Sequence, residues 1–111
     1  MSGPRYTVRT ERAVPDQGGA ALRMVVTGEL DLLAEDDVAR ALREAVGQAG
    51  ATSVVLDLTE VGFIDSSGLR ALLQGRDAAS ARGLSFALAV VDGPVTRLLA
   101  AAGVSEWFDY A

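Results

Sequence analysis

The sequence predicts an α/β domain: a mixed sheet of four to five strands, opened by an N-terminal hairpin and continued by alternating helices and strands, with the helices packed against it. Three observations predict it. Ser53-Val54-Val55-Leu56-Asp57-Leu58 is almost continuously apolar with a β-branched centre, which suits a central parallel strand covered on both faces. Three later segments repeat apolar residues at three-to-four spacing and end near glycine. Two extended segments at the start flank a cluster of turn formers.

The first extended segment runs from Tyr6 to Val14 with imperfect alternation. Pro15-Asp16-Gln17-Gly18-Gly19 then turns the chain, and Leu22 to Thr27 resumes the extended pattern, completing a hairpin. In the next segment Glu35, Asp36 and Asp37 crowd a first helical turn, where acids favour the positive end of the helix. Val38, Leu42, Ala45, Val46 and Ala49 form its apolar stripe and Gly50 ends it, while Asp36 to Arg40 and Arg40 to Glu44 are four apart. After the central strand and Thr59 to Ile64 comes the turn Asp65-Ser66-Ser67-Gly68, then a helix with Leu69, Leu72, Leu73 and Ala79 on one face, closing near Arg82-Gly83. Leu84, Phe86, Leu88 and Val90 alternate as a further strand. Pro94 starts a last helix, whose apolar face is Val95, Leu98, Leu99 and Ala102 and whose end is Gly103. A short strand around Trp107-Phe108 completes the sheet.

Right-handed crossovers between parallel strands return the chain to one starting edge, so the loops that follow the strands gather at the other. Asp31, Ser66 and Asp92 are thereby expected to share that edge.

The 111 residues suffice for one domain with a modest core. No apolar run approaches the roughly 20 residues of a bilayer span, and Met1 to Tyr6 lacks the form of a secretory signal. A cytoplasmic protein without a membrane partner is expected. Cysteine and histidine are absent, which removes the Ser-His-Asp triad and the commonest metal ligands. No phosphate-binding or dinucleotide-binding glycine motif is present, and no cofactor is expected. The net charge is -5 and the ten basic residues, all Arg, are scattered, which argues against a nucleic acid partner.

Asp65, Ser66 and Ser67 are good helix-capping residues, and Asp-Ser-Ser-Gly taken alone reads as a helix cap. The longer string is more specific. Val54-Val55-Leu56-Asp57-Leu58 followed by Val61-Gly62-Phe63-Ile64-Asp65-Ser66-Ser67-Gly68-Leu69 resembles the signature of STAS-domain anti-sigma factor antagonists. Gly28-Glu29-Leu30-Asp31 resembles the turn after that family's second strand, and Pro94 to Leu99 with Ala102-Gly103-Val104 resembles its late helix. The resemblance covers most of the chain from about Leu22 and implies a single STAS-like domain over residues 1–111, with 1–5 and 109–111 loosely ordered.

The resemblance further implies a phosphorylation switch without enzymatic activity. In that family an anti-sigma factor that is also a serine kinase phosphorylates the first serine of the motif, and the unmodified antagonist draws the anti-sigma factor off its sigma factor. Carried onto this sequence, the acceptor is Ser66, and a phosphatase resets it. Asp65 shapes the acceptor turn, Ser67 is its neighbour or cap, Gly68 lets the partner backbone approach, and Asp31 flanks the same binding surface. The family pattern also includes an amphipathic helix after the last strand, whereas this sequence runs only to Ala111.

Two other readings compete. STAS-like domains also serve as interaction subunits of transport or signalling complexes, where the serine has no switching role. A hydrolase using Asp31, Asp57 and Asp65 lacks a base near neutral pKa and room for a large cleft. Asp57, at the end of a buried strand, is expected to be a hydrogen-bonded structural carboxylate, and Trp107, Phe108 and Tyr110 are expected to close the core.

Overall fold

The computed structural model describes residues 5–13 and 19–111. The turn Pro15 to Gly18 and the expected loose start, apart from Arg5, lie outside the described residues.

Strand β1 (Tyr6–Ala13) pairs antiparallel with β2 (Ala20–Leu30), from Tyr6 opposite Gly28 to Ala13 opposite Ala21. Helix α1 (Leu32–Val46) then carries the chain over to β3 (Ala51–Ile64), which lies parallel to β2. Helix α2 (Ser66–Ala81) leads to β4 (Ser85–Ala89), parallel to β3. Helix α3 (Pro94–Ala101) and a 3-10 turn (Ser105–Trp107) lead to β5 (Asp109–Tyr110), parallel to β4. The order across the sheet is β1-β2-β3-β4-β5, the mixed sheet that the patterns predicted.

Alternate strand residues build the core, as a pleated strand requires. Leu22, Met24 and Val26 of β2, Val54, Leu56 and Leu58 of β3, and Phe86 and Leu88 of β4 are all buried. Val38, Leu42 and Ala45 of α1 and Leu69, Leu72 and Ala79 of α2 belong to the same cluster. Gly75 brings the two helices together, because an added Cβ there would stand 2.6 Å from Leu42 Cδ1.

Several boundaries differ from the pattern. Helix α1 begins at Leu32, a turn before the acidic triplet, because Asp31 caps it, and it ends at Gly47 instead of Gly50. Arg40 consequently bonds Asp37 at 2.5 Å, and Tyr6 donates its hydroxyl to the other oxygen of Asp37, tying β1 to α1. Strand β3 runs on past Leu58 to Ile64, because β2 continues beside it and Val61 and Ile64 are buried.

The end of the chain is also corrected. The 3-10 turn occupies the place expected for a strand, and the strand follows at Asp109–Tyr110. Residues 109–111 extend along β4: Asp109 pairs with Ala87, and the Ala111 N–H donates to the Leu88 carbonyl at 2.9 Å. Phe108 enters the core, whereas Trp107 is 52% exposed and Tyr110 also faces outward, its hydroxyl donating to the Ser105 carbonyl.

Candidate functional site

Leu30 and Ile64 are opposite one another at the ends of β2 and β3. The next residue in each case is an aspartate that caps a helix. Asp31 Oδ1 accepts from the Leu33 N–H at 3.0 Å, and Asp65 Oδ1 accepts from the N–H groups of Ser67 and Gly68 at 2.9 and 3.2 Å. Each side chain satisfies donors that a first helical turn leaves free. The Asp65 N–H also donates to the Leu30 carbonyl at 3.3 Å, which locks the two caps together.

Ser66 is the first residue of α2 and is exposed, whereas Ser67 is half-buried. Of the two hydroxyls, the one implied as acceptor is the more open to solvent. Gly68 is buried, and a Cβ there would stand 2.4 Å from the Leu30 carbonyl oxygen and 2.8 Å from Ile64 Cγ1. Its missing side chain serves the close approach of α2 to β2.

Asp31 and Asp65 line one shallow depression of about 350 Å³ together with Arg5, Glu29 and Phe63. The Arg5 guanidinium meets the Glu29 carboxylate at 3.2 Å on its rim. Asp92 stands apart. Strand β4 ends at Ala89, level with Asp57, while β2 and β3 continue to Leu30 and Ile64. At about 3.3 Å per residue that step is roughly 15 Å, more than the three residues from Ala89 to Asp92 can span. The strands are parallel as required, but their unequal lengths step the edge, so Asp31 and Ser66 share its upper level without Asp92.

The same edge carries exposed apolar residues that the sequence patterns did not single out. Leu32 and Leu33, 70% and 80% exposed, open α1, and Phe63 is half-exposed at the end of β3. The available signal was that Leu32 and Leu33 precede the Val38-Leu42-Ala45 stripe as two adjacent leucines with no helical partner in it. Glu35 of α1 lies between the helices, its Oε1 buried without a hydrogen-bond partner and 3.5 Å from Arg70 Nη1 of α2.

The expected structural role of Asp57 is observed. Its Oδ1 accepts from the Thr59 N–H at 2.9 Å and the Thr59 hydroxyl at 2.7 Å, and its Oδ2 accepts from Arg23 Nη2 at 2.6 Å. Burial pushes this carboxyl up, but the Thr59 hydrogen bonds and the Arg23 guanidinium together hold it below the ordinary carboxylate value. It belongs to the middle of the sheet and not to the capped edge.

Among the described residues no three acidic side chains gather as a metal site requires, and no helix is long and apolar enough to cross a membrane. A hollow of about 470 Å³ lies away from the serine, between Arg76 and Ser80 of α2 and Trp107 to Asp109.

An exposed serine opening a helix, an aspartate cap beside it and a second capped helix along the same edge form the whole site. The pattern that defines the STAS domain matches residues 12–110. The chain belongs to the STAS domain family. An anti-sigma F factor antagonist of Paenibacillus polymyxa is 34% identical to this STAS domain over 79 residues, 71% of this chain and 68% of that protein. A crystal structure of an anti-sigma factor antagonist from Mycobacterium paratuberculosis shares its fold with a TM-score of 0.76 at 22% identity, covering 99% of this chain and 90% of that one. SpoIIAA in its unphosphorylated form gives 0.70 at 19% identity over 93% and 88% of the two chains. The Bacillus SpoIIAA in its phosphorylated form gives 0.63 at 20% identity over 93% and 91%. The STAS domain is thus placed in a family of regulatory binding proteins, and its site contains capping carboxylates and an accessible hydroxyl.

Proposed function

We propose that this STAS domain is an anti-sigma factor antagonist whose unphosphorylated form binds an anti-sigma factor that is also a serine kinase, releasing the sigma factor. Phosphorylation of Ser66 abolishes that binding, a phosphatase restores it, and the exchange takes place in the cytoplasm. The observation that carries the reading is the exposure of Ser66 at the first position of α2, on the same edge as Asp31 and Asp65 and the apolar Leu32, Leu33 and Phe63. The 34% identity to an anti-sigma F factor antagonist and the existence of SpoIIAA in both unphosphorylated and phosphorylated forms support it.

The chemistry asks little of this chain. The Ser66 oxygen forms a bond to the terminal phosphorus of a nucleoside triphosphate, the bond to the departing nucleoside diphosphate breaks, and the hydroxyl proton passes to a base on the kinase. A helix N-terminus accepts the resulting anion, so the fold survives. The partner interface does not accept it as well, because roughly -1.5 to -2 charge is added beside the Asp65 and Asp31 carboxylates. A penalty of about 3 kcal/mol lowers affinity by roughly two orders of magnitude.

Ser66→Ala is expected to fold, to capture the anti-sigma factor and to resist modification. Ser66→Asp is expected to fold and to lose capture. Equal capture by both sinks the switch. Incubation with a nucleoside triphosphate and the candidate kinase, read by mass spectrometry at Ser66, separates this reading from that of a subunit of a transport or signalling complex, for which Ser66 stays unmodified.

A further inference from the structure

We propose that Arg70 is the internal receiver of a phosphate on Ser66, and that its withdrawal from Glu35 carries the modification from α2 into α1. The inference rests on Ser66 as the acceptor. It adds a route by which the change at one serine reaches the neighbouring helix.

Ser66 and Arg70 are four residues apart in the opening turns of α2, so their side chains stand one above the other on the same face. In the unmodified chain the Arg70 side chain is exposed, and its Nη1 lies 3.5 Å from Glu35 Oε1. That is an ion pair without a formed hydrogen bond, since Glu35 Oε1 is buried and has no hydrogen-bond partner. The Glu35 side chain is only 11% exposed. The gap beside it, lined by Leu30, Ala34, Val38, Gly68 and Ala71, has no space for a water molecule. Glu35 thus presents one buried, unbonded oxygen to a cation that is itself held loosely.

A phosphate on Ser66 offers that guanidinium three oxygens and up to two negative charges at the i,i+4 distance, with the forked geometry arginine favours. It competes with a single, poorly aligned carboxylate oxygen. Once Arg70 turns to the phosphate, Glu35 Oε1, buried and without a hydrogen bond, loses the guanidinium beside it and rotates toward solvent. Glu35 stands in the first turn of α1, where Leu32 and Leu33 present their exposed side chains. The phosphate therefore alters the apolar pair on α1 as well as the charge around Ser66.

The test uses the full chain with phosphoserine installed at position 66 during translation, so that it depends on no kinase. The second ionisation of that phosphate, near pH 6 for phosphoserine, is followed by phosphorus NMR in four backgrounds: unaltered, Arg70→Gln, Glu35→Gln and the double variant. Arg70→Gln is expected to raise the phosphate pKa by about 0.3 unit, the size of an exposed i,i+4 ion pair. Glu35→Gln is expected to lower it when Arg70 is present and to do nothing when Arg70 is Gln, because competition needs the shared guanidinium. The amide signals of Leu32 and Leu33 are expected to move when phosphoserine replaces serine in the unaltered chain and to stay in place in Arg70→Gln. A phosphate pKa indifferent to Arg70, or a Glu35→Gln effect of equal size in both backgrounds, overturns the proposal.

Discussion

Asp31 and Asp65 stand at the ends of neighbouring parallel strands and cap neighbouring helices through the same side-chain oxygen, Oδ1. The two are not equivalent. Asp65 satisfies two backbone donors and Asp31 one, and Asp65 alone precedes the exposed serine.

That difference sets the first prediction. Asp65→Ala is expected to destabilise the domain by about 1 kcal/mol, Asp31→Ala by somewhat less, and Asp65→Asn by only a few tenths, because asparagine also caps. Urea unfolding midpoints measure all three. An Asp65→Ala midpoint equal to that of the unaltered protein refutes the capping role.

Gly68 and Gly75 supply a contrast within one helix. Alanine is favoured over glycine in a helix interior by about 1 kcal/mol, yet at Gly68 the new Cβ meets the fixed Leu30 carbonyl, whereas at Gly75 it meets first the far end of the Leu42 side chain. Gly68→Ala is expected to cost about 2 kcal/mol net through overpacking against backbone. Gly75→Ala is expected to cost clearly less. Thermal denaturation of both variants ranks them, and the reverse order contradicts the packing argument.

Asp57 makes stability depend on pH. Burial opposes its ionisation, but Thr59 and Arg23 favour it more, so its folded pKa lies below the unfolded value of about 3.9. A carboxyl depressed by folding contributes stability that is complete above the unfolded value and is lost as pH falls through the folded one. The unaltered chain should therefore weaken in acid below about pH 4. Asp57→Asn should be less stable at pH 7 and show a shallower decline from pH 5 to 3. Identical acid profiles in urea would show that Asp57 is not responsible.

Leu32 and Leu33 separate binding from folding. Both are largely exposed, so Leu32→Ser and Leu33→Ser are expected to change stability by no more than about 0.5 kcal/mol. If the apolar pair anchors the anti-sigma factor, the double variant should lose at least about tenfold in affinity, as interface anchors do. Calorimetric titration against the partner decides it, and unchanged affinity with unchanged stability removes the pair from the interface.

Much of this was legible in the chain itself. Apolar periodicity and the Pro94 start located the three helices, and the run Val54 to Leu58 marked a buried parallel strand, because each of these signals is local and each arises from burial or backbone geometry. The string from Val61 to Leu69 pointed to the family and to Ser66. Boundaries were less legible. Asp31 capped α1 a turn earlier than the acidic triplet implied, and β3 outran its apolar run because β2, distant in sequence, continued beside it.

Composition and spacing by themselves determined the alternating α/β order, the absence of histidine and cysteine chemistry, and the place of the Asp-Ser-Ser-Gly turn between a strand and a helix. Only the tertiary structure decided that Asp31 and Asp65 share the upper edge without Asp92, that Gly68 is spent on the Leu30 carbonyl, that Trp107 faces water while Phe108 does not, and that Glu35 leans on Arg70. Each of these depends on where two strands stop or how closely two helices approach, and those distances are set by packing between segments that no local pattern connects.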